Sequence, residues 1–316
     1  MPDRLRVAVV GAGFWGKNHL RVLSELPEAE LVAVCDLDEQ RAKAAAEKYG
    51  IKAYVESMEM YRREHVEAVN LCVWSTRLAE EAMKALRMGK HVLVEKPMAS
   101  SVREAKKIVE MAKSRNLRLM VGFIERFNPA VRRLKQAIDD GEIGLPVSVT
   151  VRRVSRWPER IGDVGVVKDT AIHDIDIVRY IFGEEPIAVF ARTGNLRHER
   201  FEDYAQIMLA FPNGKSAFIE ANWLTPYKVR RLTVTGSEAI ISLDYITQEM
   251  TIETLGQTLT PRYEWEEPLK IELKHFVQSI LEGNETMVTG LDGLKALQIA
   301  EAALRSAAKE RMIKLA

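Results

Sequence analysis

A chain of 316 residues exceeds the size at which one hydrophobic core usually stops growing, and 47% hydrophobic residues can fill two cores. Its 46 basic and 45 acidic side chains nearly cancel, which leaves no global field to recruit nucleic acid or an anionic membrane and points to a small-molecule ligand. No apolar run approaches the roughly 18 to 20 residues that span a bilayer, and the chain enters a strand with no signal-peptide core, so a cytoplasmic protein is expected.

In chain order, the apolar run LRVAVV at 5 is followed by GAGFWG at 11–16 and the helical spacing of KNHLRVLSEL. Further strands are expected at LVAVC (31), AVNLCV (68), HVLVE (91) and RLMVG (118), with helical segments such as TRLAEEAMKALRMG between them. Unbroken apolar strands joined by helices mean a parallel sheet covered on both faces. Ser101 followed by Glu104 fits a capping box, and Gly89 a helix C-terminus. Cys35 and Cys72 end apolar runs and read as core residues of a reducing compartment.

From about residue 123 the rhythm changes. A helix near 128–140 and the charged segment GVVKDTAIHDIDIVRYIF at 165–182 precede seven strand-like runs: PVSVTVRRV, PIAVFART, YAQIMLAF, KSAFIEAN, VRRLTVTG, AIISLDY and EMTIETL. Pro212-Asn213-Gly214 and Gly236-Ser237 are hairpin signals. Two helices, about 268–282 and 290–309, close the chain. The expected fold class is α/β: a Rossmann parallel sheet over 1–122 for NAD, then a C-terminal α+β domain over 123–316 with a large open, mostly antiparallel sheet for substrate and oligomerisation.

GAGFWG between strand and helix suits a dinucleotide pyrophosphate. Gly11 permits the tight turn, Gly13 close approach to phosphate, and Gly16 close packing of helix on strand. Asp36 ends the second strand 20 residues after Gly16, where it would accept hydrogen bonds from the adenine ribose. A 2′-phosphate would meet that carboxylate and Asp38, so NAD is favoured over NADP. Candidate cofactor contacts are Gly11, Ala12, Gly13, Phe14, Trp15, Gly16, Asp36 and Leu37, then Ser75, Glu95 and Lys96 after later strands.

With GAGFWG, Asp36, Glu95-Lys96-Pro97 after a strand, and Asp169 four residues before His173, the chain resembles the Gfo/Idh/MocA family of oxidoreductases over its whole length. The resemblance implies NAD(P)-dependent oxidation of a sugar or cyclitol hydroxyl, a cis Lys96-Pro97 bond, and assembly as dimers or tetramers. It also implies that Lys96, Asp169 and His173 line the reacting centre. The stretch KDTAIHDID is similar to members acting on nucleotide sugars, notably UDP-N-acetylglucosamine 3-dehydrogenases, so oxidation of such a sugar at C3 is expected. One departure stands out: Val73-Trp74-Ser75 and Leu78 replace the family's frequent Thr-Pro pair and later histidine.

Alcohol oxidation needs a base within about 3 Å of the hydroxyl. His173 is the side chain best matched to accept that proton near neutral pH. Lys96, at the carboxyl end of a parallel strand, suits stabilisation of the developing alkoxide. Asp169 lies one turn earlier on the same helical face, to orient the imidazole or hold a neighbouring hydroxyl; a capped, salt-bridged helix start is the alternative. Asp174 and Asp176 are less defined, one facing solvent and Asp176 pairing with a base.

Arg152, Arg153, Arg156, Trp157 and Arg160 suggest a solvated strand edge or a phosphate clamp with an aromatic platform. Candidate substrate contacts are Arg126 and Asn128 at the junction of the two predicted domains, with Arg156, Trp157 and Lys168. His19, behind the phosphate loop, and His65, His91, His198 and His275 show no ligand spacing, and no metal site is expected. Rival readings are an NAD-dependent glycosidase working by transient oxidation and a non-catalytic sugar-sensing regulator. A homodimer or homotetramer through the C-terminal sheet is expected, because its outer face would otherwise leave apolar surface open.

Overall fold

A computed structural model describes residues 4–158 and 162–315. Two compact units divide the chain, Met1–Phe123 with Leu269–Leu294, and Ile124–Pro268 with Lys295–Ala316. The uninterrupted boundary at 122/123 expected from the sequence therefore misses a return of the chain to the first unit. Helical periodicity shows that a segment has an apolar face, not which sheet that face covers.

The first unit is built on β1 (Leu5–Val10), α1 (Phe14–Glu25), β2 (Ala29–Cys35), α2 (Glu39–Tyr49), β3 (Lys52–Tyr54), α3 (Ser57–Arg63) and β4 (Ala68–Leu71). It continues through α4 (Ser75–Arg87), β5 (His91–Val94), α5 (Val102–Ser114) and β6 (Leu119–Val121). The strands form one parallel sheet in the order β3-β2-β1-β4-β5-β6. The order reverses between β1 and β4, the place where open α/β sheets take ligands at the carboxyl ends of their strands. Strands β1, β4 and β5 are almost wholly buried, as continuous apolar runs require. Edge strand β3 has no apolar run and is largely exposed, which hides it from sequence periodicity. Ser101 and Glu104 form the expected capping box at α5. The returning segment brings Gly290 against Leu119 and Gly293 against Val121, both on edge strand β6, and Gly293 also against Met98 before α5.

The second unit holds α6 (Pro129–Asp139), β7 (Pro146–Val154), a π-helical turn at Val167–Ala171, α7 (Ile172–Phe182), β8 (Ala188–Gly194), β9 (Tyr204–Ala210) and β10 (Ser216–Asn222). Then come β11 (Val229–Gly236), β12 (Ile240–Asp244), β13 (Met250–Glu253), β14 (Thr258–Leu259) and, after α8 (Pro268–Leu281) and α9 (Gly290–Lys309), β15 (Ile313–Lys314). Nine strands run in the order β14-β13-β12-β11-β7-β10-β9-β8-β15, antiparallel except that β7 pairs with β10 in parallel. Both expected hairpins form, β9–β10 at Pro212–Gly214 and β11–β12 at Gly236-Ser237.

Alternation gives this sheet two faces. Val149, Val151, Ile207, Leu209, Ile219 and Leu232 are buried on one. On the other, Phe190, Met208 and Phe218 lie opposite one another on β8, β9 and β10 and are 39%, 52% and 44% exposed. The sequence could not say which way Phe218 points; it points outward. Among the described residues, no helix is long and apolar enough to cross a membrane.

Candidate active site

The loop after β1 has the shape its glycines suggest. Gly11 has φ +96°, and a Cβ there would fall 2.4 Å from the Cys72 carbonyl oxygen. A Cβ on Gly16 would fall 1.8 Å from the Gly11 carbonyl oxygen, so helix α1 sits directly on the turn. Above Gly13 a Cβ would meet nothing within 4 Å. Helix α1 has no side-chain cap and no acid in its first turn, which leaves its N-terminal dipole available to an anion.

Asp36 is held in place at the end of β2. Its Oδ2 accepts from the Ala12 amide at 2.7 Å and its Oδ1 from the Asp38 amide at 2.9 Å. Each oxygen keeps a second lone pair for a ribose hydroxyl. Phe14, Leu37 and Trp74, which follow β1, β2 and β4, are 70%, 74% and 58% exposed. Large apolar side chains left open at the ligand edge of a parallel sheet fit the faces of a dinucleotide. Trp74 and Ser75 lie at the start of α4, and Leu78, in the family's histidine region, is buried.

Lys96 follows β5 half-buried, and the Lys96-Pro97 bond is cis, as the resemblance implied. The Glu95 carboxylate is turned inward, accepting from Trp15 Nε1 at 2.7 Å and lying 3.1 Å from His19 Nε2. His19 is therefore a buried partner of Glu95, not the bystander its spacing suggested.

In the second unit the segment around Asp169 is not a plain helix start. Asp169 lies in the π-helical turn and His173 in the first turn of α7. Such turns are frequent at functional sites because they re-aim side chains. Trp223 Nε1 donates to Thr170 Oγ1 at 3.0 Å, and Thr170 in turn donates to Asp169 Oδ2 at 3.2 Å. The Val167 amide at the turn's start donates to Glu202 Oε1 at 3.1 Å, and burial raises the carboxyl pKa of Glu202.

Helix α7 is buried all round except for His173 and Tyr180, seven residues apart and thus on one stripe. Asp174 and Asp176 are both fully buried, which corrects the expectation that one faces solvent. Arg153 grips Asp174 with Nε and Nη2 at 2.8 Å and also reaches Glu125 Oε1 at 2.8 Å. Arg126 forks onto Asp176 at 2.7 and 2.6 Å. Burial raises the Asp174 carboxyl pKa while Arg153 pulls against it; at Glu125 burial is outweighed by Arg153 and Arg230, which hold the carboxyl low.

These pairings revise the expected substrate contacts. Arg126 is committed to Asp176 and stacks over Tyr180 at 5.0 Å. Asn128 is 1% exposed; it caps α6 and donates to the Tyr245 carbonyl at 2.9 Å. Neither is open to a ligand. Arg153 is neither clamp nor solvated edge but a buried ion pair, and Arg152 crosses to Glu220 at 3.1 Å on the outer sheet face. Lys168 lies 3.4 Å from Glu301. Trp157 stacks on His198 at 5.4 Å and meets Trp223 edge-on, next to the Thr170–Asp169 pair. Arg156 remains exposed, and Arg160 lies outside the described residues.

A parallel sheet of this order, a glycine cradle at its switch point and an acid after β2 define a dinucleotide-dependent oxidoreductase. Residues 5–123 match the oxidoreductase family with an NAD-binding Rossmann fold, and residues 131–242 match the GFO/IDH/MocA C-terminal domain. An inositol 2-dehydrogenase of Rhizobium meliloti is 32% identical, with 99% of each chain covered. A myo-inositol 2-dehydrogenase of Thermotoga maritima is 30% identical, with 98% of each covered. A solved UDP-N-acetylglucosamine 3-dehydrogenase of Acidithiobacillus ferrooxidans superposes with a TM-score of 0.89 at 24% identity, covering 96% of this chain and 98% of that one, a likeness of fold. The chain belongs to the GFO/IDH/MocA family of NAD-dependent oxidoreductases.

The buried pairs under α7 predict an asymmetry between neighbouring arginines. Arg153→Leu leaves Asp174 and Glu125 without their central cation and should cost about 3–5 kcal/mol in urea unfolding. Arg152→Leu, on the outer face, should cost less than about 1 kcal/mol. Equal losses would show that the Arg153 pairs do not anchor the helix.

Proposed function

We propose that this chain is an NAD-dependent dehydrogenase that oxidises a secondary ring hydroxyl of an uncharged cyclic polyol or sugar, with Lys96, Asp169 and His173 as its reacting groups. The observation that carries this is the stripe on α7: every acid of the helix itself is consumed in buried ion pairs, while His173 stays partly exposed after a π turn that holds Asp169, itself 7% exposed. His173 takes the hydroxyl proton, Lys96 stabilises the alkoxide, and Asp169, steadied by Thr170, orients the imidazole or holds a neighbouring hydroxyl. Bound NAD supplies the hydride acceptor. The inositol 2-dehydrogenases among the relatives support a cyclic polyol. So does the commitment of Arg126, Arg152 and Arg153 to carboxylates, which removes most of a pyrophosphate clamp.

The second reading, oxidation of UDP-N-acetylglucosamine at C3, is favoured by exposed Arg156 beside the half-buried Trp157. Screening inositols, free sugars and nucleotide sugars for NADH absorbance separates the two readings. NADH released to solution each turnover also separates either from a glycosidase. With the best substrate, His173→Ala should lower kcat by about 10²- to 10⁴-fold with NADH affinity unchanged. Unchanged turnover would return His173 to a structural role.

Cofactor choice follows Asp36. NAD should bind at least about tenfold more tightly than NADP, a gap of roughly 1.4 kcal/mol, and Asp36→Ala should narrow it. Equal affinities in the parent, by calorimetry, would overturn this assignment.

The outer sheet face supports self-association. Beside the Phe190, Met208 and Phe218 row runs a second row, Arg192, Gln206, Glu220, Arg152, Arg231 and Asp244, whose mixed charges suit pairing with a copy of itself. A dimer through this face, possible as half of a tetramer, should be split by Phe218→Glu. Light scattering that gives a monomer for the parent, or no change in the variant, would refute it.

A further inference from the structure

Glu95 directly follows β5, one residue before Lys96, yet its carboxylate lies under the phosphate-loop helix and the residue is only 8% exposed. Trp15 Nε1 donates to Oε1 at 2.7 Å, His19 Nε2 lies 3.1 Å from the same oxygen, and the Lys96 amide donates to Oε2 at 3.3 Å. A carboxylate only accepts, so His19 Nε2 carries the hydrogen. His19 Nδ1 then accepts from Asn70 Nδ2 at 3.1 Å on β4. His19 and Asn70 are fully buried. On the far side, a Cβ on Gly122 would fall 2.7 Å from Glu95 Oε1, so the start of the segment after β6 closes against the acid.

This chain of contacts spans the places that must agree for hydride transfer. Trp15 is in the first turn of α1, whose uncapped N-terminus suits the phosphates of a dinucleotide; Lys96 lies just past β5, two places along the sheet, with β4 between. Reaction geometry is sensitive at the ångström scale, and a misplacement of about 1 Å can cost roughly 100-fold. Burying an acid where its donors are two aromatic rings and a backbone amide is expensive for stability alone, which favours a positioning role.

We propose that Glu95 and His19 are positioning residues that hold the phosphate-loop helix and the strand end bearing Lys96 in one setting, with Trp15 and Asn70 as the outer links. The proposal rests on the reading of Lys96 as the group that meets the substrate hydroxyl. Glu95→Gln keeps the shape but must turn an N–H₂ either toward both ring donors, which share Oε1, or toward the Lys96 amide at Oε2. We expect its kcat to fall 10- to 100-fold while NADH binds at one site per chain within threefold of the parent affinity: Glu95 and Trp15, expected from the sequence as cofactor contacts, spend their polar atoms on each other, so the backbone amides and glycine cradle are untouched. Trp15→Phe, which keeps a ring and loses the donor, should lower kcat less, and the double variant should be no worse than Glu95→Gln alone. His19→Gln, which restores an N–H, should recover most of what His19→Ala loses.

Additive losses, or losses matched by a fall in NADH stoichiometry or melting temperature, would reduce the network to packing and overturn the proposal. So would an unchanged kcat in Glu95→Gln. If the parent oxidises no polyol or sugar, the functional reading fails on its own, and the network is still read from the emission of bound NADH. Trp15→Phe and Glu95→Gln must shift that emission alike and without additivity; an unshifted emission overturns the proposal.

Discussion

The second unit is organised by charges taken out of water. Arg153, Asp174, Glu125, Arg126 and Asp176 are each no more than 5% exposed, so each would carry a penalty of several kcal/mol if left alone. Bidentate geometry offsets that penalty only when the partners meet at the right angle, and this makes the pairs directional in a way apolar packing is not. Helix α7 can rotate little about its axis without breaking two forks at once. The side chain on its remaining open stripe, His173, is thereby aimed.

A comparable logic operates in the first unit without a cation. Asp36 takes two backbone amides, and Glu95 takes two ring donors and an amide, so both acids are oriented by hydrogen bonds to groups of fixed geometry. The glycine contacts work by exclusion: Gly16 lets the helix settle onto the Gly11 carbonyl, and Gly13 leaves space open where phosphate must come. Phe14, Leu37 and Trp74 beside that space stay exposed, as apolar side chains do where a ligand rather than the core would cover them.

How much of this the sequence revealed follows from the range of each interaction. The parallel sheet, the antiparallel sheet, the phosphate loop and Asp36 were legible because period, glycine spacing and strand ends are local properties of the chain. The return of residues 269–294 to the first unit was not, since an amphipathic helix carries no address. Arg126 was misread as a ligand contact, and Arg153 was left between solvated edge and clamp, because their partners stand 50 and 21 residues away, beyond any spacing rule. The π turn was invisible for another reason: GVVKDTAIH has the composition of an ordinary helix start, and one extra residue in a turn leaves no periodic trace. His19 carried a usable signal, an aromatic polar residue on the inward face of an otherwise apolar helix stripe behind the loop.

In both units a proposed reacting residue is the chain neighbour of a buried, anchored carboxylate: Glu95 precedes Lys96, and Asp174 follows His173. Glu95 and Lys96 stand just past the end of β5, and on helix α7 adjacent side chains diverge by about 100°. Fixing Asp174 inward therefore turns His173 toward another side of the helix. The cost of holding such a group falls in part on the anchored carboxylate beside it, which is buried away from water. This division of labour explains why so charged a segment as KDTAIHDID can sit against a hydrophobic sheet: Asp174 and Asp176 anchor it, and Asp169 and His173 are the groups that we propose the anchoring serves.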